Sequence, residues 1–273
     1  MSRIATALRL LLKGQFRLLA GSCRRTVLLS LCRTRSIRIG DTKYEMYVSS
    51  SSEFNLVEDA RELKLLGLVG SGFDCIYDIG ANVGLHTIYY SHVAIRVVAF
   101  EPHPENYARL CANIALNGRN NIDARPVAVS DRNGELPFFT LPGPASQVNI
   151  LTDHLDLRRD TFHFQKIFVQ TVRLDDLRLP PPNLIKIDVE GAEMNVLRGA
   201  RACIQKYKPI LHVEVHPALL HLFNTSARQI RDFLTELGYS IEVKRKGDEE
   251  HYICCVLSKR PTSQKIDHTV CLS

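Results

Sequence analysis

The chain has 273 residues, 45% of them hydrophobic, which is enough for one large α/β domain with appendages. Its net charge of +6 is unevenly placed: the first 40 residues hold nine Arg or Lys and no acid, while the rest, with 26 basic and 29 acidic residues, carries −3. That balance argues against a basic nucleic-acid-binding body, and eight cysteines without a C-x-x-C pair argue against a zinc ribbon or a disulfide-framed miniprotein.

Residues 1–36 form the basic segment. Within it, residues 3–19 wind as an amphipathic helix, with Ile4, Leu8, Leu11, Leu12, Leu18 and Leu19 on one side and Arg3, Arg9, Lys13 and Arg17 on the other. No run reaches the ~18 apolar residues of a membrane span, and Arg9 interrupts a secretory core. Three readings stay open. The helix packs on the domain, makes peripheral contact with an anionic membrane, or targets the chain to an organelle. Cys75, Cys111, Cys203, Cys254 and Cys255 fall in apolar patterns, as small buried residues do in a reducing compartment, and the cytoplasm is the first reading of location.

Residues 37–73 read as a cap: a hairpin from Ile37 to Val48 turning at Gly40-Asp41, a polar linker, and a helix from Asn55 to Leu68. Residues 74–258 read as the main domain, and residues 259–273 as a loose tail. In the domain, strands and helices alternate. Strand Cys75–Ile79 precedes helix Val83–Val93, and strand Arg96–Phe100 precedes helix His103–Asn117, which has Pro104 in its first turn and Gly118 at its end. A third strand is predicted from Ala124 to Val129. An irregular stretch, Ser130 to Gln165, with room for two or three short strands, and a strand Lys166–Val172 follow. Asn183–Val189 is the fourth core strand, Ala192–Lys206 its helix, and Ile210–Val215 the fifth strand. Helix Ala227–Leu237 leads to a hairpin of Tyr239–Arg245 and Tyr252–Leu257. Such alternation predicts an α/β, doubly wound, mostly parallel sheet with a C-terminal antiparallel hairpin.

The first strand ends in Asp78 and runs into Gly80-Ala81-Asn82-Val83-Gly84, and the second strand ends in Glu101. A glycine turn between strand and helix, with a carboxylate about twenty residues on, makes a nucleoside pocket in which the carboxylate grips ribose hydroxyls. The middle glycine that admits a pyrophosphate is missing, and so is the P-loop Gly-Lys-Ser/Thr. A dehydrogenase is therefore disfavoured, and S-adenosyl-L-methionine, which has no phosphate, suits the turn. The other reading is a glycine turn that holds no ligand. The carboxyl ends of the strands, where open α/β sheets bind ligands, also carry Ser130, Asp131, Asp188, Glu190, Glu214 and His216, with Glu193 close behind. Glu193 has an ordinary alternative role, favouring the dipole of its helix.

The strings Y-D-I-G-A-N-V-G at Tyr77, A-F-E-P at Ala99, A-V-S-D at Ala128, and above all I-K-I-D-V-E-G-A-E at Ile185, followed by H-V-E-V-H at His212, resemble the FkbM family of S-adenosylmethionine-dependent methyltransferases. The resemblance covers Tyr44 to Leu257. It implies a class I methyltransferase, Rossmann-like fold and O-methylation of a sugar, glycolipid or natural-product hydroxyl. By the same resemblance Asp78, Gly80, Ala81, Asn82 and Gly84 form the cofactor loop, Glu101 the ribose acid, and Ser130 and Asp131 the adenine end. Asp188 and Glu190 form the rim facing the transferred methyl.

A hydroxyl is a weak nucleophile, so a general base is expected, either His216, whose ordinary pKa suits the task, or Asp188. No metal ligands are assigned; Mg²⁺ held by Asp188, Glu214 and His216 is the less favoured alternative. The expected partner is a hydroxyl-bearing small molecule or glycan and not a nucleic acid, because the N/D-P-P-Y/F turn of many N-methyltransferases is replaced by D-V-E-G. A protein or nucleic-acid acceptor, or a non-catalytic S-adenosylmethionine-binding protein, are the rival readings. Leu141 to Phe164, with Ser146, Asn149, His154 and Arg158, is the expected acceptor cover.

Overall fold

A computed structural model describes residues 33–39, 42–48, 72–140, 149–151, 165–246 and 251–257. The predicted helices at residues 3–19 and 55–68, the tail, and Ser146, His154 and Arg158 lie outside these.

Strands β1 (Arg33–Ile39) and β2 (Thr42–Val48) form the antiparallel hairpin expected of the cap. The main sheet then begins with β3 (Phe73–Ile79), helix α1 (Leu85–Val93), β4 (Ala94–Phe100), helix α2 (Pro104–Leu116) and β5 (Ile122–Arg125). It resumes with β10 (Leu184–Ile187), helices α3 (Glu193–Gly199) and α4 (Arg201–Tyr207), β11 (Ile210–Val215) and the short α5 (Pro217–Leu220). Helix α6 (Ala227–Glu236), β12 (Ser240–Lys246) and β13 (His251–Leu257) complete it. The strand order is β12-β13-β11-β10-β3-β4-β5, with every pairing parallel except those of β13. This is the doubly wound class I methyltransferase sheet that the resemblance implies. β13 is inserted between β11 and β12, so the terminal hairpin closes the sheet from inside its edge.

The apolar strands leave no polar face: Ile76, Val97, Val98, Ile185, Ile187, Leu211 and Val213 are all buried, as strands covered on both sides must be. Register is pinned by Asn183, whose Oδ1 accepts from the backbone N–H of Asp74 and Cys75 at 2.8 and 2.9 Å. The hairpin is fastened to α2 by two asparagines one helical turn apart. Asn113 Oδ1 accepts from the Tyr47 N–H (2.7 Å) and Asn117 Oδ1 from the Glu45 N–H (3.1 Å). Burial pushes the Cys75 thiol up to about 11, as suits an inert core residue.

Three boundaries differ from expectation. The helix predicted from Val83 begins at Leu85, because Asn82 and Gly84 both have left-handed φ (51° and 94°) and cannot join it. The predicted strand Ala124–Val129 is broken at Pro126, which cannot donate to a ladder. β5 stays in the main sheet, and β6 (Ala128–Val129) joins a second sheet with β7 (Gly134–Thr140), β8 (Asn149–Leu151) and β9 (Gln165–Val172), in the order β6-β9-β7-β8. Two of the short strands for which the irregular stretch has room, β7 and β8, thus belong to this sheet. The helix predicted from Ala192 to Lys206 is divided at Ala200. Gly199 lies so close to β6 that a Cβ there would come within 1.9 Å of the Ser130 carbonyl oxygen. Among the described residues, no helix is long and apolar enough to cross a membrane.

Candidate functional site

The parallel strands end together on one side, and there a cleft with about 610 Å³ of empty space, part of it open to solvent, lies between the two sheets. Its apolar wall is Ile79, Phe100, Val127, Ala128, Val129, Phe138 and Leu151. Its polar lining comes from Gly80, Asn82, Glu101, Asp188 and Glu190. The chemistry-bearing groups therefore come from β3, β4 and β10, at the switch-point side where doubly wound sheets bind ligands.

Glu101 is 4% exposed, and its two oxygens accept from the Asn82 and His103 backbone N–H groups, both at 2.8 Å. Each oxygen keeps a further lone pair for a ribose hydroxyl. Burial pushes Glu101 up to about 7, against the opposing pull of those two N–H groups and of the Lys186 charge. The loop beside it is held from below. Gly80 (φ 79°) packs against the β10 end, where an added Cβ would come within 1.8 Å of the Asp188 carbonyl oxygen. Gly84 packs on α2, where a Cβ would meet Leu110 at 2.4 Å. The two glycines serve close packing of the loop as well as its curvature.

Asp78 does not line the cleft. It is 0% exposed beneath the loop, accepting from the Thr87 hydroxyl at 2.5 Å and facing Lys186 Nζ at 3.6 Å. Lys186, itself buried, reaches Asp188 Oδ2 at 3.0 Å and donates to the Gly80 carbonyl at 3.2 Å. One ammonium thus ties the first strand, the glycine loop and the rim together. Burial alone would lower the Lys186 pKa, but Asp188 and Asp78 outweigh it and raise it. Burial alone would raise Asp188, but the Lys186 charge outweighs it and holds the carboxyl below the usual range. Lys186 is the functional residue that the strand-end reasoning missed. Its signal was a lysine in the middle of a run, Leu184–Ile187, otherwise apolar and fully buried.

Ser130 and Asp131, expected at the adenine end, do not line the cleft among the described residues; Val127, Ala128 and Val129 do. The break at Pro126 brings these earlier residues to the wall, and the Ser130 backbone is turned to Gly199 instead. Ala81 and Gly84 shape the loop without lining the cleft.

His216 stands behind the rim. Its Nδ1 lies 2.8 Å from Glu193 Oε1, which also accepts from the Gly191 N–H at 2.9 Å, so Nδ1 carries the proton. Its Nε2 faces Asp188 and Glu190, both at 3.7 Å, and Glu214 at 3.9 Å. Burial alone would lower the His216 pKa; the Glu193 hydrogen bond and the Glu190 and Asp188 charges outweigh it and raise it to about 10. The ordinary imidazole pKa that recommended His216 as a base is therefore not the one this site provides. Glu190 is pushed above the usual carboxylate range by burial and by Asp188, Glu214 and Glu193, against the pull of His216. It sits at the rim with left-handed φ (53°).

A model of the methyltransferase FkbM domain matches residues 78–241. The chain is 26% identical over 184 residues to hexuronic acid methyltransferase AglP of Haloferax volcanii, a match covering 66% of this chain and 69% of that protein. It is 30% identical over 177 residues to 2-O-methyltransferase NoeI of Sinorhizobium fredii, covering 58% and 70%. It is 31% identical over 153 residues to methyltransferase sdnD of Sordaria araneosa, covering 45% of this chain and 59% of that protein. Among solved structures it is similar to methyltransferase FkbM of Methylobacillus flagellatus KT, with 18% identity and a TM-score of 0.46, covering 68% of this chain and 43% of that one. The chain belongs to the FkbM methyltransferase family and is an S-adenosylmethionine-dependent methyltransferase.

Proposed function

We propose that the chain methylates a hydroxyl of a sugar, glycolipid or natural-product acceptor. The observation that carries this reading is that Asp188 and Glu190 line the same cleft as the ribose-binding candidate Glu101. A methyl donor held by Glu101 and the glycine loop then shares its cleft with two further carboxylates. The relatives support it by name, since one acts on a hexuronic acid and another is a 2-O-methyltransferase.

Bound S-adenosylmethionine supplies an activated sulfonium methyl and leaves as the neutral thioether, S-adenosylhomocysteine. The chain's residues align and deprotonate. Glu101 accepts the ribose hydroxyls, the apolar wall from Val127 to Phe138 takes the adenine, and the backbone at Gly80 and Asn82 shapes the methionine end. A rim carboxylate, Asp188 or Glu190, accepts the acceptor hydroxyl's proton while the oxygen lone pair forms the new C–O bond. His216 holds that rim by its charge and is itself fixed by Glu193.

The test is methyl transfer from isotope-labelled S-adenosylmethionine to a panel of uronic acids, neutral glycans, glycolipids and polyols, with peptides and RNA as controls. Label in an ether linkage on a hydroxyl acceptor is expected; label only in peptide or RNA would overturn the reading.

Glu101 also makes cofactor affinity depend on pH. Its folded-state pKa of about 7 lies above its ordinary 4.5. Between those values the folded apo chain keeps a proton that the unfolded chain has released, so this group costs stability as pH rises through that window. Ribose hydroxyls donate to the ionised form, so affinity for S-adenosylhomocysteine is expected to rise about tenfold from about pH 6 to about pH 8. Calorimetry of the wild type and Glu101→Gln checks this; the variant should bind more weakly and lose the slope.

A further inference from the structure

We propose that Asp188, Glu190 and His216, with Glu214 beside them, form a binding site for a divalent cation of the Mn²⁺ or Mg²⁺ class at the rim of the methyl-donor cleft. The cation would hold an acceptor that offers two oxygens, as a vicinal diol or a 2-hydroxy carboxylate does. The role given to the acceptor rests on the hydroxyl-methylating reading; the cation site itself does not.

The argument starts from the imidazole. Nδ1–H is committed to Glu193, a buried carboxylate on α3, and this aims Nε2 at the rim. A carboxylate that fixes the tautomer and direction of a histidine is the usual support of a metal-binding imidazole. Around Nε2, three carboxylate oxygens from two strand ends stand at 3.7, 3.7 and 3.9 Å. A simple imidazolium ion pair draws a carboxylate to about 2.8 Å, as Glu193 does at Nδ1. Here three oxygens instead stand back at nearly equal distance. Ligands about 2.1 Å from one octahedral ion lie about 3 to 4 Å from one another. The candidate ligand atoms of Asp188, Glu190 and His216 lie within 4.8 Å of one another, so a small inward shift closes the shell.

Charge points the same way. Asp78, Asp188, Glu190, Glu193 and Glu214 gather at and behind the rim, with Lys186, His216 and His86 as the facing bases. Glu193 is 0% exposed, and its Oε2 has no hydrogen-bond partner among the described residues. A cation there would stabilise the ionised form of carboxylates that burial otherwise disfavours. The donor set of carboxylates with one imidazole suits Mn²⁺ or Mg²⁺ better than a thiol-seeking metal. A cation there would replace the Nε2 proton, bind the acceptor oxygen and lower its pKa. Only the proton's route would differ: with the rim carboxylates holding the cation, the acidified hydroxyl would lose its proton to solvent, while the oxygen still takes the methyl and the C–S electron pair still returns to sulfur.

The test is Mn²⁺ titration of the full chain, stripped with EDTA and held with saturating S-adenosylhomocysteine, read by calorimetry and by the Mn²⁺ electron paramagnetic resonance signal. One saturable site is expected, weakened at least about tenfold in Glu190→Gln and in His216→Gln. Glu190→Gln is isosteric on a rim loop, so it keeps the proposal falsifiable if His216→Gln fails to fold. No Mn²⁺ binding, or binding that both variants leave intact, overturns the cation site. Methyl transfer to a hydroxyl that survives EDTA in a chain with no Mn²⁺ site overturns the cation and leaves the hydroxyl reading standing. A confirmed site with transfer only to peptide or RNA does the reverse.

Discussion

Lys186→Met is expected to lower the unfolding free energy by about 3–5 kcal/mol, because it leaves a buried charge without its partner. Lys186 is 2% exposed and stands between Asp78, 0% exposed, and Asp188. Methionine fills much of the same volume, so the loss comes from charge and hydrogen bonding rather than from a cavity. Buried Asp78 then faces the field of Asp188 without the lysine between them, and the Gly80 carbonyl loses its donor. Urea unfolding should show a lower midpoint with the slope unchanged. A pH series gives a second signature. In the wild type the depressed Asp188 pKa contributes stability that is present above the ordinary carboxylate range and lost as pH falls through the folded value. In the variant Asp188, without the lysine, takes up a proton more readily, so the gap between variant and wild type should narrow toward about pH 4. A midpoint equal to wild type at neutral pH would show that the lysine does not carry the charge balance of the rim.

The same residue shows where reading the sequence reached and where it stopped. Strand-end acids were recoverable because each follows an apolar run and precedes a turn, and a parallel sheet brings all such ends to one side. Asp188, Glu190, Glu214 and His216 do meet there. What a linear pattern does not carry is depth. Asp78 and Glu101 both end neighbouring strands, yet Asp78 lies under the loop, where Thr87 and Lys186 claim it, and only Glu101 reaches the cleft. Ser130 stands off the cleft lining for a different reason. Pro126 sits inside what reads as one strand, and its missing N–H transfers Ala128 and Val129 to a second sheet, moving every later residue relative to the wall. Glu193 follows the rim acids in sequence and has a helix-dipole role as its alternative; its contact with His216 spans 23 positions of sequence, which no local rule encodes.

Asp188→Asn is expected to cut turnover by about 10²–10⁴-fold, the range a positioned proton acceptor contributes. Asparagine keeps the size of the side chain and an oxygen that can accept from Lys186 Nζ, and Lys186 keeps Asp78, so the fold should persist. The side chain lines the cleft near the Gly80 carbonyl, Lys186 Nζ reaching both, and makes none of the Glu101 contacts, so affinity for S-adenosylhomocysteine should stay within about threefold, under 1 kcal/mol. Single-turnover methyl transfer and calorimetry on the same preparation separate the two quantities. Full turnover in the variant would remove Asp188 from the chemistry. A turnover loss matched by an equal affinity loss would make it a cofactor-binding residue instead. A fall in turnover alone has two physical sources, loss of a proton acceptor and loss of a cation ligand, and excess Mn²⁺ distinguishes them. Mass action refills a weakened cation site, so rescue would assign Asp188 to ligation. It cannot restore a missing base, so turnover that stays low at saturating Mn²⁺ would assign Asp188 to proton transfer.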